Sequence, residues 1–498
     1  MFKATYVITF ICYLFKFIVS QTQLRFAFTF WRHGARVPDR GVDANNVDFL
    51  GEQWTYAGGE LLPIGMRMHY LLGVANRQRW VVDNTFLSAE YNSKELYVKS
   101  TEYNRTMMSV LSNLQGLYPA GSGPVLNQLQ SDNARPPVVY DFTSTVNANS
   151  LLKSSIFGIN TYHALPNGIQ VIPVHVFKQD GDMFFFHNPA MCPPFADSLK
   201  ENAVSQKNLA KAAEINTAWG LKLRTALGIS DVNYFLSFTN VYLAADTFVS
   251  GHTDGREFAK LTANNVFTAQ NIDDFLEAAE DFEFNNIFDY YNGDKNKIVP
   301  RMIMTPFFND ALRWMETRIS LDLSGTTGYT GYAAPKLVIY STHDMNLGAC
   351  QITLNDAFNL NEPRRTTKFA SNFIFELRRT AGKNTYTEAD YSVVILYNHA
   401  PFHSEDFTTF KNTLRSKIIL TPQYLSQYCG WDKSNTGTGN INPLLLKDPV
   451  PTSYIDATIV LSCLLFVAVI AIIVLIILLA RKPKSYAVSQ TDKVMPTV

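Results

Sequence analysis

The chain has 498 residues, 47% hydrophobic and 17% charged, a globular balance that excludes a fibrous or intrinsically disordered protein. Lysine plus arginine and aspartate plus glutamate both number 43, so no global basic surface points to nucleic acid. Charge chemistry, if present, must be local.

The first element along the chain is a targeting segment. Lys3 precedes a run from Tyr6 to Val19 broken only by Thr9 and Lys16, and Ser20 closes it before Gln21-Thr22-Gln23. The run is short for a spanning helix and ends on a small residue, the pattern of a secretory signal peptide over residues 1–20, with an uncleaved anchor as the alternative. Arg25–Trp31 (RFAFTFW) then reads as a buried strand, and Pro63–Arg77 as a helix opened by proline. Glu95–Lys99 predicts a second strand and Tyr103–Leu117 the helix after it. Gln170–Phe177 predicts a third strand, at an edge or bent because it contains Pro173.

From about 198 to 320 the texture becomes helical, as in Leu209–Leu227 and Asp273–Tyr291. Lys336–Tyr340 (KLVIY) is again an apolar strand, followed by a helix from about Asn346 to Leu354 and strands at Phe373–Leu377 and Tyr391–Tyr397. The expected fold is α/β, with a central mostly parallel sheet flanked by helices. Both chain ends build it, from about 21–120 and 330–430, and a mainly α-helical cap is inserted at about 121–329.

Ser434–Asn442 with Pro443 and Pro449 reads as a stalk. Ala457–Ala480 follows, an apolar stretch of about 36 Å at helical rise, enough to span a bilayer core. Arg481, Lys482 and Lys484 come next, so the positive-inside bias predicts a single-pass type I protein. Residues 21–453 are then an extracellular or luminal ectodomain, at the cell surface, lysosome or vacuole, and residues 481–498 a cytoplasmic tail. Outside the signal and the spanning helix the cysteines are Cys192, Cys350 and Cys429, which allow at most one internal disulfide in three pairings.

Three strand ends carry candidate chemistry, where α/β sheets bind ligands. Arg32-His33-Gly34-Ala35-Arg36-Val37-Pro38 follows the first strand. Its guanidiniums offer planar donor forks for phosphate oxygens, and Gly34 lets backbone come close. A histidine held between cations keeps a free lone pair and can attack phosphorus. Ser341-Thr342-His343-Asp344 follows KLVIY, with an imidazole to donate to a phosphoryl oxygen and a carboxyl to protonate a leaving alkoxide; an Asp344 helix cap is the bland alternative. Ser100-Thr101-Glu102-Tyr103-Asn104-Arg105-Thr106 puts Arg105 in a first helical turn, where anions are favoured, against the alternative of an exposed surface arginine.

At these places the chain resembles the histidine acid phosphatases, the lysosomal and prostatic kind, from about Phe26 to Tyr397. The resemblance is carried by RHGARVP, LLPIGMRMHYLLG (Leu61–Gly73), VKSTEYNRTMMS (Val98–Ser109), Cys192-Pro193-Pro194-Phe195, KLVIYSTHDMNLGA (Lys336–Ala349) and KFASNFIFEL (Lys368–Leu377). It implies His33 as the nucleophile that becomes phosphohistidine and Asp344 as the proton donor. Arg32, Arg36, Arg105 and His343 form the phosphate pocket by the same resemblance. It further implies an α/β core with a helical cap, an acid optimum, tartrate sensitivity, and no metal or other cofactor. The expected partners are a small phosphomonoester substrate and a membrane, with no nucleic acid. A homodimer stays open, and so do a phytase, a lipid phosphate phosphatase and a non-catalytic receptor-like ectodomain.

The remaining features read more plainly. In relatives the Cys-Pro corner has a partner in the later cap, where this chain has no cysteine between Cys192 and Cys350, and Cys350 reads as a buried thiol. His69 reads as a core hydrogen bonder. His399 and His403 flank Pro401, which breaks a helical metal pair, and Asp254, Arg256 and Glu257 read as a solvated cap loop. Asn104-Arg105-Thr106 is a glycosylation sequon expected to stay unmodified because it overlaps the pocket.

Overall fold

A computed structural model of the chain describes residues 22–134, 163–177, 192–194, 197, 201, 205–293, 298–325, 334–362 and 367–430. The signal segment 1–20, the stalk, the spanning stretch Ala457–Ala480 and the tail 481–498 lie outside the described residues. Among the described residues no helix is long and apolar enough to cross a membrane.

Seven strands make one sheet: β1 (Thr22–Arg32), β2 (Leu96–Thr101), β3 (His175–Phe177), β4 (Leu337–Thr342), β5 (Asn372–Thr380), β6 (Tyr391–Tyr397) and β7 (Ala400–Asp406), in the order β3-β2-β4-β1-β5-β6-β7. The sheet is mixed rather than mostly parallel. β3, β2, β4 and β1 pair in parallel, while β5, β6 and β7 join β1 as an antiparallel meander. The cause is local. Asn398 and His399 both take positive φ, 50° and 61°, between the paired residues Tyr397 and Ala400, the two-residue hairpin that suits strand twist. That turn creates β7, a strand the sequence pattern does not announce, and seats His399 and His403 on a hairpin. β3 is shorter than its predicted span and begins after Pro173, as an edge position requires.

Strand alternation sends side chains to two cores. Phe26, Phe28 and Phe30 of β1 face one cluster, with Val338 and Tyr340 of β4 and Phe373, Phe375 and Leu377 of β5. Ala27 and Trp31 face the other, with Leu337, Ile339 and Ile374. A register shift between Leu24 and Phe26 reverses the parity, so Leu24 joins Ala27's side.

Helices cover both faces. α1 (Pro63–Arg77) and α2 (Asn104–Leu117) lie on the Trp31 side. A Cβ on Gly73 would come 2.0 Å from the Asn113 carbonyl, and one on Gly116 2.1 Å from the Tyr70 carbonyl, so two glycines let these backbones touch. Between β3 and β4 come α3 (Gln206–Ile215), α4 (Leu221–Leu227), α5 (Phe238–Thr253), α6 (Ala269–Gly293) and α7 (Ile298–Ser324). Residues of α3 to α6 share their own core around Phe248, Phe275 and Phe282. α7 differs: Met302, Phe307 and Met315 pack on the phenylalanines of β1. The inserted helical layer is therefore narrower than 121–329, because β3 belongs to the sheet and α7 to its cover. α8 (Asp344–Ala357) packs on the same face. Cys192 is bonded to Cys429 at the end of the last helix (Pro422–Cys429), and Cys350 is a buried free thiol.

One charged network lies inside the sheet's Trp31 side. Glu376 is fully buried and accepts from Arg79 Nε at 2.6 Å and Arg378 Nη1 at 2.7 Å. Burial alone would raise its pKa, but the charges of Arg79 and Arg378 hold it below the usual glutamate value. A depressed folded pKa means this stabilisation is present above the unfolded value of about 4.3 and is lost as pH falls through the folded one. Glu376→Ala removes the carboxylate from the buried Arg378 and the half-buried Arg79 and is expected to cost about 3–5 kcal/mol. Denaturant unfolding at pH 7 checks this, and the cost should shrink when the comparison is repeated in acid.

Candidate active site

Two adjacent parallel strands set the site. Arg32, the last residue of β1, is in register with Thr342, the last of β4, and the backbone N–H of His33 donates to the Thr342 carbonyl at 3.1 Å. His33 and His343 therefore leave the sheet side by side, although 310 positions separate them in the chain. Their rings meet edge to face with centroids 5.4 Å apart. β2 is the next parallel neighbour of β4, with Ser100 opposite Ser341, and it brings Thr101 and the start of α2 to the same end of the sheet.

His33 is buried, and its Nδ1 lies 2.9 Å from the Gly34 carbonyl. A carbonyl only accepts, so Nδ1 carries the proton and Nε2 keeps the lone pair. Burial first, then the charges of Arg105, His343, Arg36 and Arg32, hold its pKa well below the usual histidine value. Tight backbone packing keeps the loop in place. A Cβ on Gly34 would lie 2.4 Å from the Gly65 carbonyl of α1, and the Gly34 N–H donates to Ser109 Oγ of α2 at 3.0 Å. His69 of α1 sits beneath, its Nε2 3.1 Å from the Arg32 carbonyl, and burial lowers its pKa to about 3, so it donates as neutral imidazole.

The three sequence-predicted arginines converge on His33, and each is held by a carboxylate. Arg32 reaches Asp344 at 3.0 Å, donates to the Thr367 carbonyl at 2.6 Å and lies over the Phe369 ring at 4.2 Å. Arg36 meets Asp246 of α5 through both terminal nitrogens, at 2.9 and 3.3 Å, and Asp246 also accepts from the Asp39 N–H at 2.9 Å. Arg105 lies 3.2 Å from Asp39 and over the Tyr103 ring at 4.5 Å. It is mostly buried rather than a surface arginine. The Nε of Arg32, Arg36 and Arg105 are all buried without a hydrogen-bond partner. Three buried cationic N–H groups lack partners, and the charges of all three arginines reach His33, a setting that favours a bound anion.

His343 Nε2 lies 3.2 Å from Thr101 Oγ1. His343, and not Asp344, occupies the N-cap of α8, with its N–H donating to Asn346 Oδ1 at 3.2 Å. Asp344 is the first helical residue and keeps 28% of its side chain exposed, which frees it from a purely capping role. Burial acts to raise its pKa, but Arg32, His343 and Arg36 together pull it below the usual aspartate value. Asn104 is exposed and donates to Glu60 at 2.7 Å, so burial of the asparagine does not bar the sequon; the buried member is Thr106, whose Oγ1 lies 2.7 Å from Thr101 Oγ1.

Sequence reasoning missed Asp246 and Asp39. Asp246 had a readable signal: it is the one acid in Phe238–Thr253, an otherwise neutral and largely apolar helix, and a charge buried to 2% there must have a partner. Asp254 and Arg256, read from sequence as part of a solvated cap loop, are half-buried and pair with each other at 2.8 Å, with Arg256 over Trp54.

Residues 23–398 match the model of the histidine phosphatase superfamily, branch 2. The chain belongs to that superfamily. It is similar to the lysosomal acid phosphatase of Homo sapiens, 25% identical over 366 residues that cover 73% of this chain and 70% of that protein. Prostatic acid phosphatase of Homo sapiens is 33% identical over 112 residues, 22% of this chain and 28% of that protein. Among solved structures, the Hafnia alvei phytase complexed with myo-inositol hexakis sulphate aligns with a TM-score of 0.49 at 14% identity, covering 81% of this chain and 98% of that one. Family membership and the acid phosphatase relatives make this chain an enzyme that hydrolyses phosphomonoesters.

Asp246→Ala strands the Arg36 guanidinium in the interior. The expected outcome is a loss of inorganic phosphate affinity of more than tenfold, together with destabilisation of about 3–5 kcal/mol. Phosphate inhibition and thermal unfolding of the variant check the two together.

Proposed function

We propose that the protein is an acid phosphatase working through a phosphohistidine, with His33 as nucleophile and Asp344 as proton donor. Arg32, Arg36, Arg105 and His343 hold the phosphate group. The observation that carries this is an imidazole with Nδ1 tied to a carbonyl, set among three guanidiniums whose buried Nε donors lack partners.

The substrate's phosphoryl oxygens accept from those donors and from His343, which offsets their charge and aligns phosphorus with His33 Nε2. The Nε2 lone pair forms the N–P bond as the ester P–O bond breaks, and Asp344 transfers its proton to the departing alkoxide, giving the alcohol. A water molecule then attacks phosphorus and yields its proton to the Asp344 carboxylate. The N–P bond breaks, its electrons return to His33, and inorganic phosphate leaves. Neutral His33 suits this cycle in acid, because burial and neighbouring charges keep it unprotonated there.

Asp344 must carry a proton to act, yet Arg32 stabilises its ionised form in the free enzyme. A bound phosphate competes for Arg32's donors and places negative charge beside Asp344, and both effects raise the carboxyl's proton affinity. The catalytic domain sits on the extracellular or luminal side in this proposal, anchored by Ala457–Ala480. The support is the apolar length of that stretch and the bases at Arg481, Lys482 and Lys484.

His33→Ala is expected to remove phosphate release altogether, measured on a chromogenic aryl phosphate. Asp344→Asn should slow alkyl phosphates far more than activated aryl phosphates; equal losses on both would refute the acid role. In the wild type the alkaline limb of kcat on an alkyl phosphate should lie at higher pH than that of kcat/KM, since kcat reports the substrate complex. Asp344→Asn should flatten the kcat limb.

A further inference from the structure

Each pocket arginine has its own acid: Arg32 with Asp344, Arg36 with Asp246, and Arg105 with Asp39. Three cations and three carboxylates balance, so the pocket has no surplus positive charge before substrate enters. The acids differ in access. Asp246 is 2% exposed and faces inward, whereas the Asp39 side chain is 37% exposed while still 3.2 Å from Arg105. Asp39 thus stands at the rim of the arginine cluster. Glu60 also stands near, accepting from Asn104 beside Arg105 at 2.7 Å.

Resting on the phosphatase reading above, we infer that Asp39 is a specificity-determining residue that turns away substrates bearing a second phosphate close to the first. One phosphate is drawn in beside His33 by the charges of Arg32, Arg36 and Arg105. A second one, held at the rim by the same small alcohol, meets the exposed Asp39 carboxylate, whose like charge repels it. The substrate class that fits is the monophosphate of a neutral or cationic alcohol. Exposed Arg40, next in the chain, acts in the opposite sense, so the sign of the Asp39 effect is informative.

The full-length chain in detergent, wild type and Asp39→Asn, is assayed for kcat/KM on p-nitrophenyl phosphate and on myo-inositol hexakisphosphate at low and high salt. The ratio of the second to the first should rise about tenfold in Asp39→Asn at low ionic strength, and the gain should shrink at high salt as the rim charge is screened. Asp39→Glu should keep the wild-type ratio, and Asp39→Ser should behave as the asparagine variant does. Taking the ratio removes any gain from loosening Arg105, which would speed both substrates alike. A ratio that moves less than twofold in both neutral variants, or a wild type that prefers the hexakisphosphate, overturns the inference alone. A wild-type chain inactive on both substrates overturns the phosphatase reading and the inference with it.

Discussion

The parallel pairing of β1 with β4 is the constraint on which the site depends. Hydrogen bonds running from Ala27 opposite Leu337 to Arg32 opposite Thr342 fix where two distant segments end. A slip of one residue would move every side chain to the other face, sending Phe28 and Phe30 away from α7 and Trp31 out of its own core. The apolar clusters on both faces therefore enforce the register, and the register brings His33 to His343. The geometry of the candidate site and core packing are here the same ladder seen at its end and along its length.

Concentrating charge at that end has a cost. Desolvation opposes the charged form of His33, Arg36 and Arg105, and of Asp344 too. Isolated, three buried guanidiniums would repel one another, and burial and Arg36 do lower the pKa of Arg105. The carboxylates offset this, Asp246 most strongly: its bidentate contact raises the pKa of Arg36 against the effect of burial. Asp246 arrives from the helical layer, whereas His33 and Arg36 follow β1. One ion pair thus ties the inserted helices to the candidate site and fixes the Arg36 guanidinium fork in place.

Much of this was legible from residues alone. A seven-residue string after an apolar strand, a second histidine after KLVIY and an arginine opening a helix are local patterns, and each lies at a strand's C-terminal end in the sheet. The antiparallel half was less legible because Ala400–Asp406 alternates weakly and owes its pairing to two positive-φ residues, neither of them glycine. The pairing of Cys192 with Cys429 was one of three left open, since separation along the chain does not order cysteines in space. The reach of the helical layer was misjudged at α7, whose sequence is as helical as its predecessors and whose membership is decided by which phenylalanines it touches. Asp246 and Asp39 needed three dimensions, because an acid's partner is not written beside it.

The acids also explain how one pocket can hold phosphate firmly and still release it. Three guanidiniums held as rigidly but without carboxylates would bind a product dianion most tightly at the end of the cycle, when it should leave. With a carboxylate on each guanidinium, phosphate must compete for donors that already have partners. Asp344 sharpens this balance. In the proposed cycle its proton leaves with the alcohol, so the phosphoenzyme meets an ionised carboxylate beside Arg32; hydrolysis returns a proton, and when that proton passes to solvent the carboxylate takes Arg32 back from the product. In the proposed mechanism, proton transfer and the strength of the phosphate grip are therefore coupled through the 3.0 Å ion pair of Arg32 with Asp344.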